Sequence, residues 1–242
     1  MTKGYIFDYG GTLDTGGCHW GRLIWKAYRR QDVPVTEERF REAYVFAERQ
    51  LGRNPIVKPH FTFRQTLAEK LHIEMEYIDA LQPQQPVSGW FEQVHNMLYE
   101  NTVAETSKSV ETLRRLKARG VPMVLVSNFY GNINTVLEEF GFQGLFDSIV
   151  ESAVVGVRKP DPRIFSFGVE ALGLDAPDVT VVGDSYDKDI VPAKRIGCQT
   201  VWIKGEQWNR EDDHVNREFP EADRIVTGLY EALFPDAESS SR

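Results

Sequence analysis

From about residue 105 the chain settles into a regular alternation of short apolar runs and amphipathic segments, a rhythm that few folds accommodate. Val110, Leu113 and Leu116 recur at helical spacing before a stop at Gly120, and residues 121–127 follow as a continuous apolar run. The rhythm then repeats, with helices at 132–140, 161–172 and 187–196 and strands at 148–151, 179–183 and 199–203. An edge strand at 222–226 and a closing helix are expected after a polar loop over 204–222, and the tail from Glu238 is expected to fray. Strands alternating with helices predict a parallel sheet covered on both faces, and apolar strands suit burial on both sides.

One further strand lies far upstream. Tyr5-Ile6-Phe7 is a β-prone run that ends at Asp8, where Gly10 and Gly11 turn the chain. The α/β core is therefore expected to be discontinuous, built from residues 1–14 and 105–242, with residues 15–104 inserted. The insert reads as helical. Phe40, Ala43, Tyr44, Ala47 and Leu51 share one helical face behind an N-cap at Thr36, with a stop at Gly52. A loop with two prolines covers 52–60; Phe63, Leu67 and Leu71 mark a second helix, residues 74–81 a third, and Trp90, Val94, Met97 and Leu98 a fourth. The predicted fold class is α/β, a doubly wound parallel sheet with an inserted helical domain.

At 242 residues the chain can bury a sizeable core. Its net charge of -8 argues against nucleic acid and anionic membranes as partners. No apolar run is long enough to span a bilayer. Met1-Thr2-Lys3-Gly4 leads straight into a strand, so no signal peptide is expected. Cys18 and Cys198 show neither metal spacing nor a CxxC pair, which favours a reducing, cytoplasmic setting. Nothing in the pattern sets an oligomeric state.

In an open parallel sheet, ligands bind at the carboxyl ends of the strands. Asp8 belongs to that edge, as do Ser127-Asn128, the segment Val157-Arg158-Lys159-Pro160-Asp161-Pro162, and the segment Gly183-Asp184-Ser185-Tyr186-Asp187-Lys188-Asp189. Asp8, Asp184 and Asp189 would then form a cluster of like charges that needs a cation or protonation. A hard divalent ion with oxygen ligands, most naturally Mg2+, resolves it. The Ser127 hydroxyl, the Asn128 backbone N–H and the Lys159 ammonium are the donors a phosphoryl group requires.

These four segments, in this order, resemble the motifs of the haloacid dehalogenase superfamily, and the insert resembles its type I helical cap. The resemblance implies a Rossmann-like core and an aspartyl-phosphate mechanism on a small phosphorylated substrate. It assigns Asp8 as nucleophile, Ser127 and Lys159 to catalysis and phosphate binding, and Asp8, the Gly10 carbonyl and Asp184 to Mg2+. Asp189 is left either as a further ligand or as a residue that orients Lys159 and metal-bound water. The insert leaves the core immediately after Asp8, where a mobile lid is useful, with hinges expected near 14–20 and 100–106.

The pattern breaks at Gly10, where most phosphatases of this superfamily carry a second aspartate that protonates the leaving group. General acid–base catalysis is typically worth about 10²–10⁴-fold, so three readings stay open. One is a phosphatase for good leaving groups, or one with His19 or a cap residue supplying the proton. Another resembles phosphonoacetaldehyde hydrolase, with Lys58, or else Lys26 or Lys70, as a Schiff-base lysine. The third is a catalytically weak phosphate- and metal-binding regulatory module. A metal-free 2-haloacid dehalogenase would leave Gly183-Asp184 without a task. His19, Arg53, Lys58 and His60 lie near predicted hinges or loops and are candidate substrate contacts. His72 and His95 read as packing or surface residues.

Overall fold

The structure, a computed structural model, describes residues 2–208 and 222–235. Six strands form one sheet: β1 (Gly4–Phe7), β2 (Met123–Ser127), β3 (Ser148–Glu151), β4 (Val179–Gly183), β5 (Gln199–Ile203) and β6 (Arg224–Val226). Their spatial order is β3-β2-β1-β4-β5-β6, and every neighbouring pair is parallel. The first strand is therefore central. Phe7 faces Leu125 on one side and Val182 on the other. From β1 the chain winds out to β3, then returns to β4 and winds out the other way. The switch in direction falls between β1 and β4, which is where such sheets open a ligand crevice.

The insert contributes α1 (Trp20–Arg30), α2 (Glu37–Arg53), α3 (Phe63–Leu81) and the start of α4 (Phe91–Lys117). Thr36 caps α2 by accepting from the Arg39 N–H, and Thr62 with Gln65 forms a capping box on α3. The helices expected at 63–71 and 74–81 are a single helix. Thr66, Leu67, Lys70, Leu71, Glu74, Met75 and Ile78 are its buried stripe, and no Gly or Pro interrupts it.

A second difference bears on the domain limits. The helix expected near Trp90–Leu98 and the one expected near 110–116 are also continuous, so the expected limit at 104/105 falls in the middle of α4. The periodicity changes there because the buried positions are hydroxyls. Thr102, Thr106 and Thr112 donate to the carbonyls of Leu98, Thr102 and Lys108 at 3.0, 2.7 and 2.8 Å. Each satisfies itself on its own helix, so it can be buried without an apolar side chain. Ser109 Oγ donates to the Leu13 carbonyl at 2.8 Å and ties α4 to the turn after Asp8. A buried cluster runs without a break from Phe7, Leu125 and Val182 on the sheet to Phe40, Leu71 and Ile78 in the insert. The hinge expected near 100–106 is therefore helix, and the division at 104/105 stands as a proposal rather than a gap in the packing.

The opposite sheet face carries Ile6, Val124, Val126 and Val181 beneath α7 (Arg163–Leu172), the helix that follows Lys159. The remaining helices are α5 (Ile133–Glu139), the one-turn α6 (Ser152–Val155), α8 (Val191–Arg195) and α9 (Leu229–Leu233). A π-helical turn, Tyr186–Ile190, leads into α8. The expected edge strand and closing helix are β6 and α9. Residues 209–221 of the expected polar loop, and the tail from Glu238, lie outside the described residues.

The residues just after β5 clamp the insert. The His19 N–H donates to the Glu206 carbonyl at 3.0 Å, and the Trp208 ring stacks on His19 and packs at a tilt against Tyr44 of α2. The Arg41 guanidinium lies 4.3 Å over the same ring. No helix among the described residues is long and apolar enough to cross a membrane.

Candidate active site

Asp8, Ser127, Asn128, Lys159, Asp184 and Asp189 line one cavity at the carboxyl edge of the sheet, together with Gly10. Asp8 follows β1, Ser127 ends β2, and Asp184 follows β4, so the sheet register itself brings them together. Asp8, Ser127, Lys159, Asp184 and Asp189 are buried. The Lys159 ammonium forms ion pairs with Asp8 Oδ1 and with Asp189 Oδ1, the latter at 2.7 Å. Asp189 Oδ2 accepts from the Ser185 N–H at 3.0 Å, so both of its oxygens are engaged in holding Lys159 and its own turn.

Asp8 Oδ2 is the freer oxygen. The Thr12 hydroxyl lies 3.5 Å from it and 3.2 Å from Asp184 Oδ1, and its single proton serves one of the two at a time. Besides the backbone N–H expected to meet a phosphoryl group, Asn128 has a structural role through its side chain. Its amide donates to the Lys159 carbonyl at 3.0 Å and accepts from the Lys159 N–H at 2.8 Å, which pins the backbone that carries the ammonium. Asp14 accepts from the Gly11 N–H and from Trp20 Nε1, locking the turn that follows Asp8.

Three carboxylates with ligand oxygens all within 4.8 Å of one another face a single ammonium. Burial pushes Asp8 up to about 6 against the pull of Lys159, with Asp189 adding to the rise. Burial, with Asp8 and Asp189 beside it, holds Asp184 well above the usual carboxylate range. Burial alone would lower the Lys159 ammonium, but Asp189 and Asp8 together raise it. An all-oxygen set with excess negative charge fits a hard divalent cation. The backbone leaves room for it. A Cβ on Gly11, whose φ is +98°, would lie 2.3 Å from Asp184 Oδ2, and one on Gly183 would lie 2.4 Å from Asp189 Cβ.

The other sequence candidates separate. His19 lines the cavity as the N-cap of α1, its Nδ1 accepting from the Gly21 N–H at 3.0 Å. Burial, then the charges of Lys188 and Lys70, lowers it to about 3, so it stands as a neutral ring with its proton on Nε2. That neutral form disfavours His19 as the proton donor that a leaving group would need. Arg53, Lys58 and His60 are exposed and lie outside the cavity wall. Lys58 donates instead to the Pro55 carbonyl at 2.6 Å. Those three were placed by their nearness to loops, whereas α2 and α3 turn other residues inward. Tyr44, Glu48 and Lys70 supply the insert's polar wall, opposite Tyr130, Arg158 and Lys188 of the core. Their signal in the sequence is a charge on, or at the rim of, an apolar helical stripe.

Residues 2–197 match the family model for haloacid dehalogenase-like hydrolases. The chain belongs to this family. A glyceraldehyde 3-phosphate phosphatase of Methanocaldococcus jannaschii is 36% identical over 107 residues, which cover 43% of this chain and 47% of that protein. A phosphoglycolate phosphatase of Neisseria gonorrhoeae is 32% identical over 130 residues, covering 51% of this chain and 53% of that one. The matches thus span about half the length of these curated relatives. Among solved structures, the HAD-hydrolase YfnB of Bacillus subtilis bound to magnesium aligns with a TM-score of 0.58 at 16% identity, over 98% of this chain and 99% of that one. A dehalogenase aligns with a TM-score of 0.59 at 17% identity, over 97% and 96%. At such identities these neighbours speak for the fold alone.

Proposed function

We propose that this hydrolase is a Mg2+-dependent phosphatase that acts through an aspartyl-phosphate on a small phosphorylated metabolite. The observation that carries the reading is the convergence of Asp8, Ser127, Lys159 and Asp184 on one buried cavity at the sheet's switch point. The phosphatases among the relatives support it. Asp8 Oδ2 is the attacking oxygen, since Lys159 occupies Oδ1. It bonds to phosphorus as the ester P–O bond breaks, and water later cleaves the acyl phosphate and restores the carboxylate. Ser127 and Lys159 donate to the phosphoryl oxygens. Asp8, Asp184 and the Gly10 carbonyl would hold Mg2+, which supplies the positive charge that balances the phosphoryl group. Asp189 keeps Lys159 in line.

None of the three candidate Schiff-base lysines offers a free amine to the cavity. Lys58 is exposed, Lys26 pairs with Glu206, and Lys70 is ion-paired with Glu48. Turnover of an aryl phosphate with Mg2+, in excess chelator and after Mg2+ is restored, tests the phosphatase reading. Activity should vanish with chelator and return with metal. Turnover indifferent to chelator would remove the metal from the reaction, and binding without turnover of any phosphate ester would make the chain a binding module.

Gly10 gives a second expectation. Without an acid there, the leaving group departs with little protonation, so aryl and acyl phosphates should be cleaved faster than alkyl phosphates. Gly10 does not have a positive φ, and the nearest atom to a Cβ built there is Trp20 Cδ1 at 4.0 Å. Gly10→Asp should therefore fold, and should raise alkyl phosphate hydrolysis by up to about 10²-fold while helping aryl esters least. Equal rates on alkyl and aryl esters in the wild type, with chemistry rate-limiting, would contradict the missing-acid argument.

A further inference from the structure

The cavity extends past the catalytic carboxylates to a wall that the phosphoryl chemistry does not use. Tyr44 and Glu48 stand one turn apart on α2, Lys70 faces them from α3, and Tyr130 closes the group from the loop after β2. Glu48 Oε1 is the shared acceptor. The Lys70 ammonium is ion-paired to it, and the Tyr130 hydroxyl donates to it at 3.3 Å. The same ammonium sits 4.3 Å from the centroid of the Tyr44 ring. Lys70 is thus enclosed, with 10% of its side chain exposed, whereas Glu48, which also lines the cavity, is 38% exposed. Glu48 Oε2 takes no hydrogen bond from the described residues.

What the wall presents to a leaving group is consequently a fixed acceptor, not a cation. Burial would raise the Glu48 carboxyl, but Lys70 beside it holds it below its ordinary value, so the acceptor is an anion at neutral pH. Three kinds of terminal group can be compared against it. A carboxylate placed at Oε2 would meet the Glu48 charge head-on, because Lys70 is already paired, and could turn only to the exposed Arg158 and Lys188 on the core side of the cavity. An ammonium would find the Glu48 charge already matched by its ion pair with Lys70. A hydroxyl donates to Oε2 without changing the charge. The cavity of about 160 Å³ is small beside the roughly 300–1,000 Å³ of drug-sized sites, which suits a short leaving group.

We propose that Glu48 is a specificity-determining residue whose Oε2 accepts a hydrogen bond from a hydroxyl on the leaving group, so that the substrates are short phosphate monoesters of hydroxylated compounds. The inference rests on the phosphatase reading above. Lys70 and Tyr130 act as positioning residues that fix the carboxylate.

Four two-carbon monoesters test it: 2-hydroxyethyl phosphate, 2-aminoethyl phosphate, ethyl phosphate and phosphoglycolate. All four have alkyl leaving groups whose own acidities differ, and that difference cancels when each ratio is compared between wild type and a Glu48 variant, so the change in ratio on substitution is the deciding reading. With Mg2+ present, kcat/KM for the hydroxyethyl ester should exceed that for each of the other three by about tenfold or more, the scale of one hydrogen bond to a charged group. Most of the difference should appear in KM. Glu48→Gln should bring the hydroxyethyl-to-ethyl ratio close to one and raise phosphoglycolate relative to both. Glu48→Asp keeps the charge but withdraws it by one methylene, and it should lower the same ratio if the amide variant fails to fold. A wild type that prefers the ethyl, aminoethyl or phosphoglycolate ester overturns the inference, as does a ratio unchanged in both variants. Failure of the phosphatase reading looks different: no turnover of these esters or of an aryl phosphate by the wild type with Mg2+.

Discussion

Asp8→Asn is expected to remove turnover of an aryl phosphate by at least about 10³-fold while leaving the metal-free protein no less stable than the wild type. The first half follows from the chemistry: an amide oxygen neither forms a stable acyl phosphate nor carries the charge that holds a divalent cation. The second half follows from the packing. Asp8 is one of three buried carboxylates sharing a single ammonium, and Lys159 keeps its 2.7 Å bond to Asp189 when Asp8 is neutralised. No charge is left unpaired, so the penalty for breaking a buried ion pair does not apply. The direction with pH is also set. The Asp8 carboxyl is raised in the folded state from 3.8 to about 6, so its contribution to stability is present below about 3.8 and is lost as pH rises through about 6. The Asn variant has no such loss, and its advantage in chelator should grow between pH 4 and 7. Single-turnover kinetics and denaturant melts measure the two halves. Residual activity within tenfold of wild type would take Asp8 out of the nucleophile's role.

Asp8, Ser127 and Asp184 were legible because each stands at the end of a strand. An apolar run that stops at Asp8, Ser127 or Gly183-Asp184 announces both the strand and the side chain at its carboxyl end, and parallel topology does the rest. The substrate wall was hidden for a converse reason. Glu48 and Lys70 sit mid-helix, and their facing one another depends on how α2 and α3 pack, which no local spacing encodes. Attention to loops therefore selected Arg53, Lys58 and His60, which the structure leaves in solvent. The continuity of α4 was obscured in the same way. Buried threonines that bond back to their own helix look polar in sequence but behave as core.

That continuity constrains how the insert can move. A helix that starts among α1 and α3 and ends against α9 couples the insert to the sheet through regular backbone. Residues 204–208 add a second tie, through Trp208 against His19, Tyr44 and Arg41. Closure over a substrate would then involve bending of α4 and release of this clamp, rather than rotation about two loops.

Outside the active site, Glu74 should be costly to stability at neutral pH. It is fully buried on α3, one turn beyond Lys70, and neither carboxyl oxygen has a hydrogen-bond partner among the described residues. Burial, opposed by Lys70 and reinforced by Glu48, raises it from 4.5 to about 8. Because the folded value is the higher one, its contribution to stability is fully present below about 4.5 and is lost progressively up to about 8. By pH 7 that loss amounts to about 3 kcal/mol, an upper bound of the order set by 1.36 kcal/mol per pH unit. Glu74→Leu removes both the ionisation and the unmet oxygens at similar volume. In chelator at pH 8 it should raise the melting temperature by roughly 5–10 °C, and the gain should shrink toward pH 5. Asp8, Asp14 and Asp184 are also raised, but they titrate in both proteins, so the difference between variant and wild type isolates Glu74. A gain independent of pH would mean that the unmet oxygens, not the charge, carry the cost. A loss at every pH would show that the carboxyl is satisfied in solution. Lys70 keeps Glu48 as its partner in the variant, so the preference for hydroxylated esters should survive the substitution.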